Sequence, residues 1–139
     1  MTPPARAPTK REESALVAAA RAVRRHAYAP HSRFTVGAAV LDERGRIHQG
    51  CNVENASYGL TVCAERNAVA AAVAAGARRI RAVAIVGPID PPVRPCGACR
   101  QVLAEFARPD TPVVLAPARG RGRATVRTLG DLLPESFSL

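Results

Sequence analysis

The sequence predicts an α/β fold built on one mixed sheet covered by helices, and three observations carry that prediction. Helix-spaced apolar runs are interleaved with short β-rich runs, in the order helix, two strands, helix, strand, helix, strand, strand and a short closing helix. The 139 residues suit one domain able to bury a substantial core. Apolar residues make up 47% with alanine foremost, whereas aromatics are only 4%, a composition for closely packed helices with few stacking surfaces.

Residues 1–9 carry three prolines and no apolar period, so they are expected as a disordered N-terminal tail, leaving 10–139 as a single domain. Thr9 and Glu12 have capping-box spacing, and Leu16, Ala19, Ala20, Val23 and Ala27 recur at helical intervals, which predicts a helix over 10–27. Pro30 ends it. A hairpin follows, with strands at 34–41 and 46–53 around a turn at Asp42 to Gly45. Gly59 and Thr61 precede a second helix that runs to Gly76, a suitable C-terminal cap. "RIRAVAIVG" reads as a buried strand, Gly97 to Ala107 as a helix after a proline-rich loop, and "PVVLA" and "ATVRT" as strands flanking a basic turn. Leu129 to Leu133 complete the pattern as a short helix.

The net charge is +9, and every basic residue except Lys10 is arginine. Attraction to anionic partners is one consequence of such a balance. The arginines are spread along the whole chain without interleaved aromatics on which bases would stack, so nucleic acid is not the expected partner. No run approaches the roughly 18 apolar residues of a membrane span, and the start "MTPPARAPTKREE" lacks a secretory apolar run. A cytoplasmic location is expected. There, four cysteines suit metal binding, reactivity or simple burial better than disulfides.

Three of those cysteines open helices. In "TVCAERNAVAAAVAAG", Cys63 and Glu65 fall in the first turn; in "RPCGACRQVLAEF", Cys96 and Cys99 do the same. A helix N-terminus lowers a thiol pKa through its free amides and the positive end of its dipole. Two such ends brought together make a three-thiolate site with a fourth coordination position open, the requirement for a hydrolytic zinc. Glu65 has the chemistry of its proton acceptor. A lone C-x-x-C also fits a redox pair, a purely structural zinc or cysteines without metal, but C-x-E with P-C-x-x-C is the three-cysteine form of the signature of zinc deaminases that act on nucleobases. Cys51 reads as a buried strand residue. His26, His31 and His48 have no metal-like spacing and read as surface or loop residues.

The segments "SRFTVGAAV", "GCNVENASYGLTVCAERNAV", "PCGACRQVLAEF" and "LGDLLPESF" closely resemble the small, homotetrameric cytidine deaminases, over almost everything from residue 28 to 137. The resemblance implies a three-layer α/β/α fold with a mixed five-stranded sheet, one zinc ion per subunit held by Cys63, Cys96 and Cys99, and Glu65 as proton shuttle. It implies that Arg66 hydrogen-bonds the ligand sulfurs, that Asn52 and Glu54 bind the ribose 3′-hydroxyl, that Phe34 lies beside the nucleoside, and that the Ala64 amide binds the pyrimidine carbonyl. Tyr58 and Phe137 are implied where a neighbouring subunit completes each pocket. The implied substrate is a small nucleoside, cytidine or 2′-deoxycytidine, converted to its uracil counterpart with loss of ammonia.

Two positions depart from the family pattern: Arg94 stands where serine is frequent, and His31 where tyrosine is common. Three rival readings remain. A deaminase of a cytosine-nucleoside antibiotic such as blasticidin S shares the zinc motif, but "CNVENASYG" carries ribose contacts. A polynucleotide-editing deaminase would use the positive charge but lacks stacking aromatics. A zinc-stabilised binding module has no chemical need for Glu65.

Overall fold

In the computed structural model, which describes residues 6–119 and 124–139, α1 spans Lys10–Arg24. Its start is the anticipated capping box: Thr9 Oγ1 accepts from the Glu12 amide and Glu12 Oε1 accepts from the Thr9 amide, each at 3.0 Å. Glu12 also receives both terminal nitrogens of the buried Arg81, at 3.2 and 3.4 Å, and Arg81 Nε donates to the Arg6 carbonyl at 2.9 Å. This pins the N-terminal end of α1 to the sheet. Residues 1–5 of the expected tail and residues 120–123 of the expected basic turn lie outside the described residues.

The strands are β1 (Gly37–Asp42), β2 (Ile47–Cys51), β3 (Ile80–Gly87), β4 (Pro112–Pro117) and β5 (Thr125–Thr128). They form one five-stranded sheet in the order β2-β1-β3-β4-β5. Only the β3 and β4 pair is parallel, with Ile85 opposite Leu115; its neighbours are antiparallel, so the sheet is mixed as expected. A parallel pair needs a crossover, supplied by α3 (Gly97–Phe106). The remaining helices are α2 (Ala64–Ala74), α4 (Leu129–Leu132) and a single 3-10 turn at Tyr58–Leu60.

Alternation along the strands divides the core into two layers. Ala39, Leu41, Ala82, Ala84, Val86, Val114 and Ala116 face α1 and pack on Leu16 and Ala20. Ala38, Val40, Val83, Ile85, Val113 and Leu115 face the other way, onto Ala64, Ala68, Val69 and Ala72 of α2 and Leu103 of α3. The result is the three-layer α/β/α arrangement. Gly50 brings α2 against the sheet, because a Cβ there would overlap the Ala68 amide and Ala64 carbonyl. The first turn of α2 therefore lies backbone to backbone on β2, next to Asn52.

Several boundaries differ from the sequence reading for identifiable reasons. α1 stops at Arg24 rather than 27, because the His26 and Ala27 amides turn back to Val23 and Arg24 and release Tyr28 to bridge Val53. β1 begins at Gly37 rather than 34, because the Asn52 side chain captures the backbone of 34–36. β2 starts after Arg46, whose amide is taken by the Asp42 carboxylate. α2 begins at Ala64 and ends in a Schellman motif, with Gly76 at φ 98 and its amide on the Val73 carbonyl, as the glycine suggested. His48 is a correction: it lies on β2, its side chain only 11% exposed, with Nε2 2.8 Å from Asp42 Oδ2. Among the described residues no helix is long and apolar enough to cross a membrane.

Candidate active site

Cys63 is the N-cap of α2 and Cys96 the N-cap of α3, both in extended backbone, and Cys99 lies fully buried in the first turn of α3. Neither capping cysteine spends its sulfur on a helix amide. The sulfurs face one another instead: Cys63 Sγ and Cys96 Sγ are 3.8 Å apart, and all three lie within 4.8 Å of one another. Zinc to sulfur bonds of about 2.3 Å at tetrahedral angles require a sulfur separation of about 3.8 Å. Three convergent thiols, with no fourth protein ligand among the described residues, therefore fit zinc and leave one position for a non-protein ligand. Cys51, half-buried at the end of β2, is not part of this group.

The electrostatics of the cluster are uneven. A hydrogen bond from Cys99, with further ones from Arg66 and Cys96, outweighs burial and holds the Cys63 thiol down at about 5. Cys99 is pushed up, first by its bond to Cys63, then by burial and by the charges of Glu65 and Cys63. Glu65 follows Ala64 on α2 and is only 4% exposed. Burial raises its pKa and the Cys63 charge adds to this, while hydrogen bonding to its own amide and to Cys99 opposes it. Arg66 Nη2 lies 3.6 Å from Cys63 Sγ and 3.5 Å from the Thr61 carbonyl, and its Nε is buried with no hydrogen-bond partner among the described residues.

A second group of residues gathers beyond the end of β2. Asn52 is buried, its Nδ2 donating to the Phe34 carbonyl at 2.7 Å and its Oδ1 accepting from the Val36 amide at 2.8 Å. Glu54 Oε1 accepts from the His31 and Ser32 amides at 2.8 and 3.2 Å, and Oε2 accepts from the Ser32 hydroxyl. A cavity of about 390 Å³ is lined by His31, Ser32, Glu54, Tyr58 and Thr61, with the His31 and Tyr58 rings edge to face at 5.8 Å. Ala64 is fully buried, and as the first helical residue its amide is one that an α-helix leaves without an internal partner. Phe34 is at the margin of exposure, whereas Tyr58 and Phe137 are 77% and 70% exposed. Phe137 lines no part of this cavity; its carbonyl accepts from Gln101 Nε2 at 3.2 Å.

The family model described as "Cytidine and deoxycytidylate deaminase zinc-binding region" matches residues 10–115. The chain belongs to this deaminase family. It is 48% identical over 123 residues to a cytidine deaminase of Sporosarcina psychrophila, an alignment covering 88% of this chain and 89% of that protein. The fold is similar to the crystal structure of cytidine deaminase from Burkholderia pseudomallei, with a TM-score of 0.83 and 51% identity over 89% of this chain and 98% of that one. The cytidine deaminase structure from Mycobacterium tuberculosis gives a TM-score of 0.78 at 43% identity, covering 91% and 98%.

Within this deaminase fold, three residues that sequence reasoning passed over hold the site in shape. Arg100 Nε donates to the Pro95 carbonyl at 2.8 Å and Nη1 to the Leu132 carbonyl at 2.6 Å, tying the residue before Cys96 to the end of α4. Asn67 Nδ2 donates to the Cys51 carbonyl at 2.8 Å, fastening the first turn of α2 to β2. Ser32 joins Glu54 to the Phe34 amide. Each has at least one partner 16 or more residues away, a backbone carbonyl or a carboxylate, which no local pattern announces.

Proposed function

We propose that this deaminase-family chain catalyses hydrolytic deamination of cytidine and 2′-deoxycytidine to uridine and 2′-deoxyuridine, releasing ammonia. One observation carries the reading: a buried carboxylate, Glu65, beside three convergent cysteines that leave one zinc position open. The relatives named as cytidine deaminases, at 48% and 51% identity, support the substrate. Residues 10–139 form the catalytic domain in this reading, and four free cysteines suit a cytoplasmic setting.

Cys63, Cys96 and Cys99 would hold zinc, which when bound lowers the pKa of water so that a nucleophile is available near neutral pH. Glu65 accepts a proton from water and delivers it to pyrimidine N3 as C4 becomes tetrahedral. It then assists departure of the amino group as ammonia. Burial, by raising the carboxyl pKa, suits it both to take and to give that proton. The Ala64 amide donates to the pyrimidine carbonyl. Arg66 draws charge from the sulfurs.

Asn52 and Glu54 select the sugar by what their existing bonds leave over. Asn52 retains one N–H and one lone pair, and the Glu54 carboxylate, with about four acceptor positions, retains one. A 3′-hydroxyl, donor and acceptor at once, satisfies that remainder. Phe34 packs beside the nucleoside, and in a homotetramer Tyr58 and Phe137 complete the pocket of a neighbouring subunit.

The test is the fall in ultraviolet absorbance when zinc-loaded protein meets cytidine, deoxycytidine, CMP and blasticidin S separately, with Glu65→Gln as control. Turnover of both nucleosides, lowered at least about 100-fold in the control, is expected. Silence on both nucleosides with one zinc bound per chain rejects the reading, and activity on blasticidin S alone transfers it to the antibiotic.

A further inference from the structure

Among the described residues, every protein donor to Glu54 comes from two adjacent residues. The His31 and Ser32 amides occupy Oε1 and the Ser32 hydroxyl occupies Oε2, which leaves a single acceptor position on Oε2, next to that hydroxyl. The proton of the hydroxyl has one direction open to it, because Ser32 Oγ itself accepts from the Phe34 amide at 3.0 Å. The chain therefore runs one way, from the Phe34 N–H through the Ser32 O–H to the carboxylate. Between its two ends stands Arg33 at φ 60, a left-handed conformation disfavoured for a residue with a Cβ. The Ser32 hydroxyl spans this residue, and Asn52 fixes the far side of the bend through the Phe34 carbonyl and Val36 amide. Ser32 is also the leading reason why the Glu54 carboxyl lies below its ordinary range.

We propose that Ser32 is a positioning residue for sugar recognition: it aims the last free acceptor of Glu54 at the 3′-hydroxyl and locks that aim to the backbone of Phe34. The inference rests on Glu54 reading the 3′-hydroxyl, as proposed above. Without the Ser32 hydroxyl, Oε2 loses its only protein donor among the described residues and the Phe34 amide loses its acceptor. The carboxylate then turns more freely, and binding of the sugar weakens while the proton chemistry at Glu65 is unaffected.

Cytidine and 3′-deoxycytidine separate these effects, because the second has no hydroxyl for Glu54 to hold. Ser32→Ala is expected to lower kcat/KM for cytidine about 10-fold, the size of one hydrogen bond to a charged group, chiefly through KM. For 3′-deoxycytidine the same variant should change it less than about 2-fold, and Ser32→Thr, which keeps the hydroxyl, should restore most of the cytidine value. Glu54→Gln is run beside it. If Glu54→Gln loses the preference for cytidine and Ser32→Ala loses it too, the positioning role stands. If Glu54→Gln loses it and Ser32→Ala keeps it, or loses equally on both substrates, the Ser32 role is overturned while Glu54 remains the sugar contact. If Glu54→Gln keeps the full preference, the reading of Glu54 fails and the Ser32 role falls with it. Zinc content and melting curves monitor folding, and Ser32→Cys, close in size but a weak donor, gives the same discrimination should the alanine variant not fold.

Discussion

Arg66 shows how much of this site is decided by charge on single side chains. Three thiolates around zinc(II) leave a net charge of minus one, which weakens the acidifying effect of the metal unless something withdraws charge from the sulfurs. The helix ends carrying Cys63 and Cys96 supply part of that. In the proposed site the Arg66 guanidinium supplies more: its Nη2 lies 3.6 Å from Cys63 Sγ and 3.5 Å from the Thr61 carbonyl, and its buried Nε has no hydrogen-bond partner among the described residues. Arg66→Ala is expected to keep one zinc per chain by atomic absorption while kcat falls about 10- to 100-fold, the range for groups that orient metal ligands. Unchanged turnover would reject the role. The three cysteines and Glu65 were legible in the sequence because each sits at a helix start, a local signal. Arg100 and Ser32 were not, since an arginine reaching a carbonyl 32 residues away and a serine reaching a carboxylate 22 away leave no periodic trace.

Among the elements, helix and strand types followed from apolar period, and the faces of β1, β3 and β4 divide between the two cores as alternation requires. Boundaries were lost where side chains displaced the backbone from its ladder, and the β1 to β2 hairpin is the clearest instance. Asp42 Oδ1 accepts from the Arg44 and Arg46 amides at 2.8 and 2.9 Å; Oδ2 meets His48 Nε2 at 2.8 Å and Arg46 Nε at 3.3 Å. Arg81 reaches the Asp42 carbonyl at 3.5 Å, and Gly45 at φ 81 completes the turn. Burial pushes this fully buried carboxyl up, but bonds from His48 and from the Arg46 and Arg44 amides prevail and hold it at about 2, against an ordinary 3.8. A carboxyl depressed on folding contributes stability that is complete above its unfolded pKa and is lost as pH falls through the folded one. The urea midpoint is therefore expected to drop between about pH 4 and pH 2, and to drop less steeply in Asp42→Asn, which starts from a lower midpoint at pH 7. Parallel pH profiles for the two proteins would show that Asp42 does not set the hairpin's acid response.

For the whole molecule, the outer surface is the part the chain alone leaves unexplained. Phe137, near the C-terminus, is 70% exposed while its carbonyl is tied to Gln101. Tyr28, Val53, Tyr58 and Leu60 are exposed as well, and a bridge joins the backbones of Tyr28 and Val53. Large apolar groups held outward on ordered backbone are what an assembly of subunits covers, and the homotetramer proposed above gives Phe137 a place over a neighbour's nucleoside. A chain ending at Glu135 is then expected to raise KM for cytidine about 10-fold or more, the loss from uncovering one aromatic contact, with kcat changed less. Distortion of the chain's own pocket would raise KM as well, so a mixing experiment decides between the two. Truncated subunits retain Glu65 but lack Phe137, and Glu65→Gln subunits retain Phe137 but lack the proton carrier. Co-refolded together, they should regain pockets with wild-type KM in proportion to mixed assembly, because a complete site needs one contribution from each chain. A KM that stays high at every mixing ratio would assign Phe137 to its own subunit and remove the cross-subunit pocket from the proposal.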